Sequence, residues 1–209
     1  MCLTACFAFL QHNAALAHEF SYPNLIHARI AVDPAFDREG VVDCYMEIFR
    51  PDVWQRYRSD EFELPARRKE TLDMMDKSLK AFNVKETFLI RVNDEFQEYD
   101  TKRNAFAFRP LSDTAFFTSK SGASCQSLPR ELRVRFSNAS LIDGIPMAME
   151  EGRAFLNARK SSYGSVNRQV GLEVNVRAVK YDAPYLITEI VEARVLDDKG
   201  RVIHTYTNK

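Results

Sequence analysis

Glycine is scarce, with 7 residues in 209, and the chain contains neither GxxxxGKS/T nor GxGxxG. Phosphate-cradling loops, collagen repeats and flexible glycine linkers are thereby disfavoured. HExxH, GxSxG, CxxC and the EF-hand loop are missing too. Zincin, α/β-hydrolase, thioredoxin and calcium-sensor chemistry lose their sequence support with them. Neither sign of charge is in excess, since 29 basic residues face 29 acidic ones. No whole-chain field therefore draws the protein onto nucleic acid or an anionic membrane. The opening apolar run, Met1 to Leu10, falls well short of the ~20 residues of a membrane-spanning helix. What is present, 45% hydrophobic and 28% charged residues, is the composition of a globular domain.

That opening run is followed by Gln11-His12-Asn13 and then Ala14-Ala15-Leu16-Ala17. An apolar core ending in small-x-small is the pattern of a secretory signal peptide, and cleavage after Ala17 would make His18 the mature N-terminus. No Lys or Arg precedes Arg29, so the usual basic n-region is missing. Leu3-Thr4-Ala5-Cys6 also fits lipoprotein processing, although the residues after Cys6 stay apolar. Export with soluble release is the expectation, placing the protein in the periplasm or outside the cell. Cys44 and Cys125 would then be the two cysteines left in an oxidising compartment, where they could pair or remain buried thiols.

Hydrophobic periodicity changes near residue 85. Before it, Val41, Val42, Tyr45 and Phe49 repeat at helical steps until Pro51, which can start a short helix carrying Val53, Trp54 and Tyr57. Asp60 and Glu63 could form a capping pair, with Pro65 delaying the next start to about 65, and Leu72, Met75, Leu79 and Phe82 mark one face of that helix. After it the period is two. Phe88, Ile90, Val92 and Phe96 read as a strand, and Asp100 to Asn104 as a hairpin loop before Phe106 and Phe108. Leu132, Val134 and Phe136 alternate with polar residues, as do Val170, Leu172, Val174, Val176 and Ala178. In Tyr185 to Leu196, Leu186 and Ile190 are out of step with Ile187, Val191, Ala193 and Val195, which predicts a bulge near Glu189. Asp197-Asp198-Lys199-Gly200 is a turn before Val202, His204 and Tyr206. One helix interrupts the strands, with Pro146 in its first turn, Glu150 and Glu151 early, and Arg159 and Lys160 last.

The expected fold is α+β. An N-terminal helical layer over about residues 35–82 packs with a mostly antiparallel sheet over about 86–109, 131–137 and 168–207. One covering helix spans about 146–160, and residues 18–209 form a single domain.

Candidate sites are few. Trp54 and Tyr57 beside Arg56 and Arg58 have the composition of a binding hot spot, and Tyr99 and Arg109 flank the predicted hairpin. Residues 105–209 carry 15 basic and 11 acidic side chains, a balance of +4, with Arg133, Arg135 and Arg177 able to point outward together, and Glu131 and Glu173 able to pair with them. Asp94 and Glu98 share a strand face with Phe96 and would be the carboxylates of an enzyme. Asn138-Ala139-Ser140 matches a glycosylation sequon. An N-terminal His18, joined by His27 or His204, is similar to the copper site of lytic polysaccharide monooxygenases, a resemblance of one residue that implies a bound copper ion.

Tyr57-Arg58-Ser59-Asp60-Glu61-Phe62, then Glu98-Tyr99-Asp100 and Phe106-x-Phe108, resemble an uncharacterised family of exported bacterial proteins. That resemblance implies export and supplies no catalytic residue. The reading that follows is a binding module without a resident cofactor, whose partner is another envelope protein or a small ligand, not nucleic acid. Its first candidate residues are Trp54, Tyr57 and Arg58, then Tyr99 and Arg109. The alternative is an envelope hydrolase or copper-dependent oxidase using Asp94, Glu98 or His18.

Overall fold

The computed structural model describes residues 17–123 and 125–208. The expected signal peptide lies outside the described residues except for Ala17. Five helices and ten strands are described: β1 (His18–Glu19), α1 (Tyr22–Val32), α2 (Val42–Phe49), α3 (Pro51–Tyr57), α4 (Leu64–Ala81), β2 (Phe88–Glu95), β3 (Tyr99–Asp100), β4 (Ala105–Phe106), β5 (Phe116–Lys120), β6 (Glu131–Phe136), β7 (Ile145–Pro146), α5 (Met149–Ala158), β8 (Gln169–Asp182), β9 (Tyr185–Leu196) and β10 (Val202–Thr207). The architecture is α+β. No described helix is long and apolar enough to cross a membrane.

The large sheet runs β1-β2-β8-β9-β6-β5, with β10 also paired to β9. The long hairpin β8–β9 is its centre, closed by a two-residue turn with a cis Ala183–Pro184 bond. Most joints are antiparallel, but β1–β2 and β6–β9 are parallel, so the sheet is mixed. β9 serves two partners along one edge: Tyr185 to Thr188 pair with β6, and Glu192 to Leu196 pair with β10. Between them the register slips, with Val176 opposite Ile190 and Asn175 opposite Glu192. Val191 is the extra residue, two positions from the predicted bulge, and it returns Leu186, Thr188, Ile190, Ala193 and Val195 to one buried face. Asn138 fills the gap left between β6 and β10. Its side-chain amide donates to the Ile190 carbonyl at 3.0 Å and its oxygen accepts from the Ile190 N–H at 2.7 Å. The sequon asparagine is thus a ladder rung for β9.

The inward face of the sheet is the predicted one: Leu132, Val134 and Phe136 on β6 and Val170 to Ala178 on β8 are buried at alternate positions. The outward face carries ion pairs. Arg133 meets Glu131 at 2.8 Å, Arg177 meets Glu189, and Glu173 is held by Arg91 at 3.0 Å. Arg135 instead lies 3.7 Å over the Tyr185 ring.

The helix that packs on β8, β6 and β5 is α1, for which the sequence analysis predicted no element. Pro23 starts it, and Tyr22, Leu25, Ile26, Ala28 and Ile30 are buried. Burying Leu25 and Ile26 alone contributes on the order of 3–6 kcal/mol. Helices α2 and α4 pack together, and α4 reaches α1. Asp60 Oδ1 accepts from the N–H groups of Phe62 and Glu63, and α4 then begins at Leu64 beside Pro65.

Two expectations need correction. The hairpin strands β3 and β4 belong not to the large sheet but to a three-stranded one with β7. Pro146 lies in β7, opposite Ala105, and α5 begins at Met149. An edge strand suits a residue that lacks an N–H. Arg159, which ends the covering helix as its charge order implies, has only 4% of its side chain exposed. Its guanidinium donates to the carbonyls of Asn167 and Gln169, meets Asp198 at 3.2 Å, and stacks on Phe155. It joins α5 to the start of β8 and the β9–β10 turn.

Candidate functional site

A cleft of about 510 Å³ opens where the starts of α1 and α3 meet the end of β5. Local sequence builds it. Pro51 cannot continue α2 and starts α3 in a new direction. Arg50 anchors the kink to α4, donating to Thr71 Oγ1 at 2.9 Å and to Glu70 at 3.1 Å. One turn on, Trp54 is half-buried in the cleft wall, with Gln55 beside it and Arg58 at the helix end. Tyr22 and Pro23 come from α1, Glu47 and Ile48 from α2. Lys120 to Ala123, at and after the end of β5, complete the lining.

A disulfide ties the walls together. Cys44, one turn before Ile48 on α2, bonds Cys125, two residues after Ala123, with Cα atoms 5.4 Å apart. Of the alternatives left open by the sequence, the pair is the one the structure supports. Tyr22 donates its hydroxyl to the Pro129 carbonyl, and burial raises its pKa to about 12, so it stays protonated.

The hot-spot trio divides. Trp54 and Arg58 line the cleft, but Tyr57 does not. Its ring takes the guanidinium groups of Arg56 and Arg67 at 5.2 and 5.1 Å, fastening α3 to α4. Lys120, brought in by β5, lay beyond the reach of sequence reasoning, because period-two patterning gives no strand order.

Tyr99 and Arg109 fall elsewhere. Tyr99 donates to the Met147 carbonyl at 2.8 Å and packs edge-on against Phe106, beside Gly152 of α5. Arg109 and Arg103 both bind Asp143, at 2.9 and 2.7 Å. Their hydrogen bonds hold the Asp143 carboxyl down at about 2. This cluster borders a smaller hollow of about 290 Å³ with Asp94 at its edge. Asp94 is half-buried and Glu98 exposed, so the two carboxylates do not converge on an enclosed site.

His18 is held in β1. Its backbone N–H donates to the Thr87 carbonyl, its ring stacks on Phe82 at 4.6 Å, and Nε2 lies 3.0 Å from Glu86. His27 Nε2 sits 2.8 Å from the Tyr45 hydroxyl, and His204 packs on Tyr206 of β10. No group of three or more His, Cys, Asp or Glu able to hold a metal occurs among the described residues.

Fold and cleft together define an α+β protein with an open, aromatic-walled recess. The chain belongs to the family of the domain of unknown function DUF4852, whose model matches residues 37–158. The match takes in Trp54, Arg58, Lys120 and both disulfide cysteines, as well as Tyr99 and Arg109. No curated protein and no solved structure matches the chain.

Proposed function

We propose that this is an exported binding module of the bacterial cell envelope, periplasmic or secreted. In this reading residues 18–209 act as one α+β domain, and the ligand is held in the Trp54 cleft without catalysis. The observation that carries it is a cleft of about 510 Å³ lined together by the half-buried Trp54, Arg58 and Lys120. Aromatic and arginine side chains around a concave recess are the chemistry of recognition. The disulfide between Cys44 and Cys125 supports an oxidising compartment.

Trp54 is the chain's single tryptophan, so its fluorescence reports on the cleft directly. A screen of envelope components should identify a saturable ligand that shifts or quenches that emission and loses affinity in Trp54→Ala. Saturable ligands that bind with Trp54 emission unmoved would place recognition elsewhere. For export, the native protein should begin at His18 by mass spectrometry; an intact leader would sink the address.

A further inference from the structure

Almost every arginine of the described chain is engaged by a carboxylate, a carbonyl or an aromatic ring. Arg58 and Arg130 alone have no such partner among the described residues, and Arg58 lines the Trp54 cleft. Lys120, which lines the same cleft, has 76% of its side chain exposed and only a 3.9 Å contact to Glu131. Glu131 is held more closely by Arg133, at 2.8 Å. One guanidinium without a counter-charge and one weakly compensated ammonium thus face a recess whose carboxylate, Glu47, is already engaged.

From this arrangement, and resting on the cleft reading above, we infer that the ligand is an acidic saccharide. A pyranose offers an apolar C–H face that can lie on the Trp54 indole while its edge carries hydroxyl groups. The Gln55 amide, exposed and without a partner among the described residues, can meet those hydroxyls. A carboxylate on the sugar accepts two parallel N–H bonds from Arg58 and meets the Lys120 charge as well. A flat aromatic ligand would fill the indole face and leave these polar groups unanswered.

The test is a titration of Trp54 emission in the disulfide-bonded full chain with a short oligogalacturonate, its methyl ester, a glutamate peptide of similar length and inorganic phosphate. The acid should bind at least about tenfold more tightly than the ester, with the advantage shrinking as salt rises. Arg58→Gln and Lys120→Gln, both surface changes, should each erase most of that advantage while the thermal melt stays in place. Equal affinity for acid and ester would overturn the anionic requirement and leave the cleft reading standing. Preference for the peptide or for phosphate would overturn the saccharide. Silence with all four probes would overturn the inference, while the wider screen decides whether the cleft binds anything.

Discussion

Cys44 and Cys125 join the two walls of the Trp54 cleft, one from the middle of α2 and the other from the segment that follows β5, with 5.4 Å between their Cα atoms. The crosslink closes a loop across 81 positions, for which chain entropy gives about 4 kcal/mol of stabilisation. Reduction should therefore lower the melting temperature and, by freeing Lys120 to Ala123, weaken cleft ligands more than the global loss requires. Parallel melts and Trp54 titrations with and without dithiothreitol check both. A melt indifferent to reductant would mean that the crosslink contributes nothing to stability.

His27 sets an acid limit. Burial, followed by the nearby charge of His18, lowers its pKa from 6.5, and burial lowers that of His204 as well. Each group binds its proton more readily in the unfolded chain. Their contributions are thus complete above pH 6.5 and are lost as pH falls towards the folded values. Denaturant midpoints should drop between pH 7.5 and 5, with a slope no steeper than about 1.4 kcal/mol per pH unit for each histidine. His27→Gln, which can still reach the Tyr45 hydroxyl, should flatten this limb; an unchanged slope would assign it elsewhere.

Asn138 supplies both hydrogen bonds to Ile190, a residue with 0% exposure. Asn138→Ala would leave a buried N–H and a buried carbonyl without partners where β9 changes neighbours. The expected cost is about 2–4 kcal/mol, read as a lower urea midpoint. Asn138→Asp should recover only part, since a carboxylate can accept from the Ile190 N–H but cannot donate to its carbonyl. A midpoint unchanged in the alanine variant would show that water replaces the amide.

How much of this the sequence disclosed depended on contrast. Strands β6 and β8 alternate cleanly between buried apolar residues and half-buried, mostly polar ones, so their faces were legible. The β9 bulge was legible for the same reason, because Leu186 and Ile190 broke a rhythm that Ala193 and Val195 kept. Helix α1 buries Tyr22, Leu25, Ile26, Ala28 and Ile30 on more than one side, and so little contrast between faces remains to mark it. In β5 the adjacent Phe116 and Phe117 conceal an alternation that is plain in three dimensions. Trp54 and Arg58 stood out by residue type, yet Lys120, which lines the cleft with them, comes from a strand more than sixty positions later. Arg159 was legible as the cation that ends α5, and only the fold shows that its charge faces inward.

Strands β8 and β9 span Gln169 to Leu196, beyond the family match at residues 37–158. The matched stretch, cut out and made alone, would be a sheet with its middle removed: β2 and β6 would each present a raw edge where β8 and β9 belong. That excised piece should be insoluble or molten, with no cooperative melt, whereas residues 18–209 should unfold in one sharp transition. Shared ancestry and mechanical self-sufficiency would then have different borders in this protein, and a fragment cut on the former would fail for want of the latter.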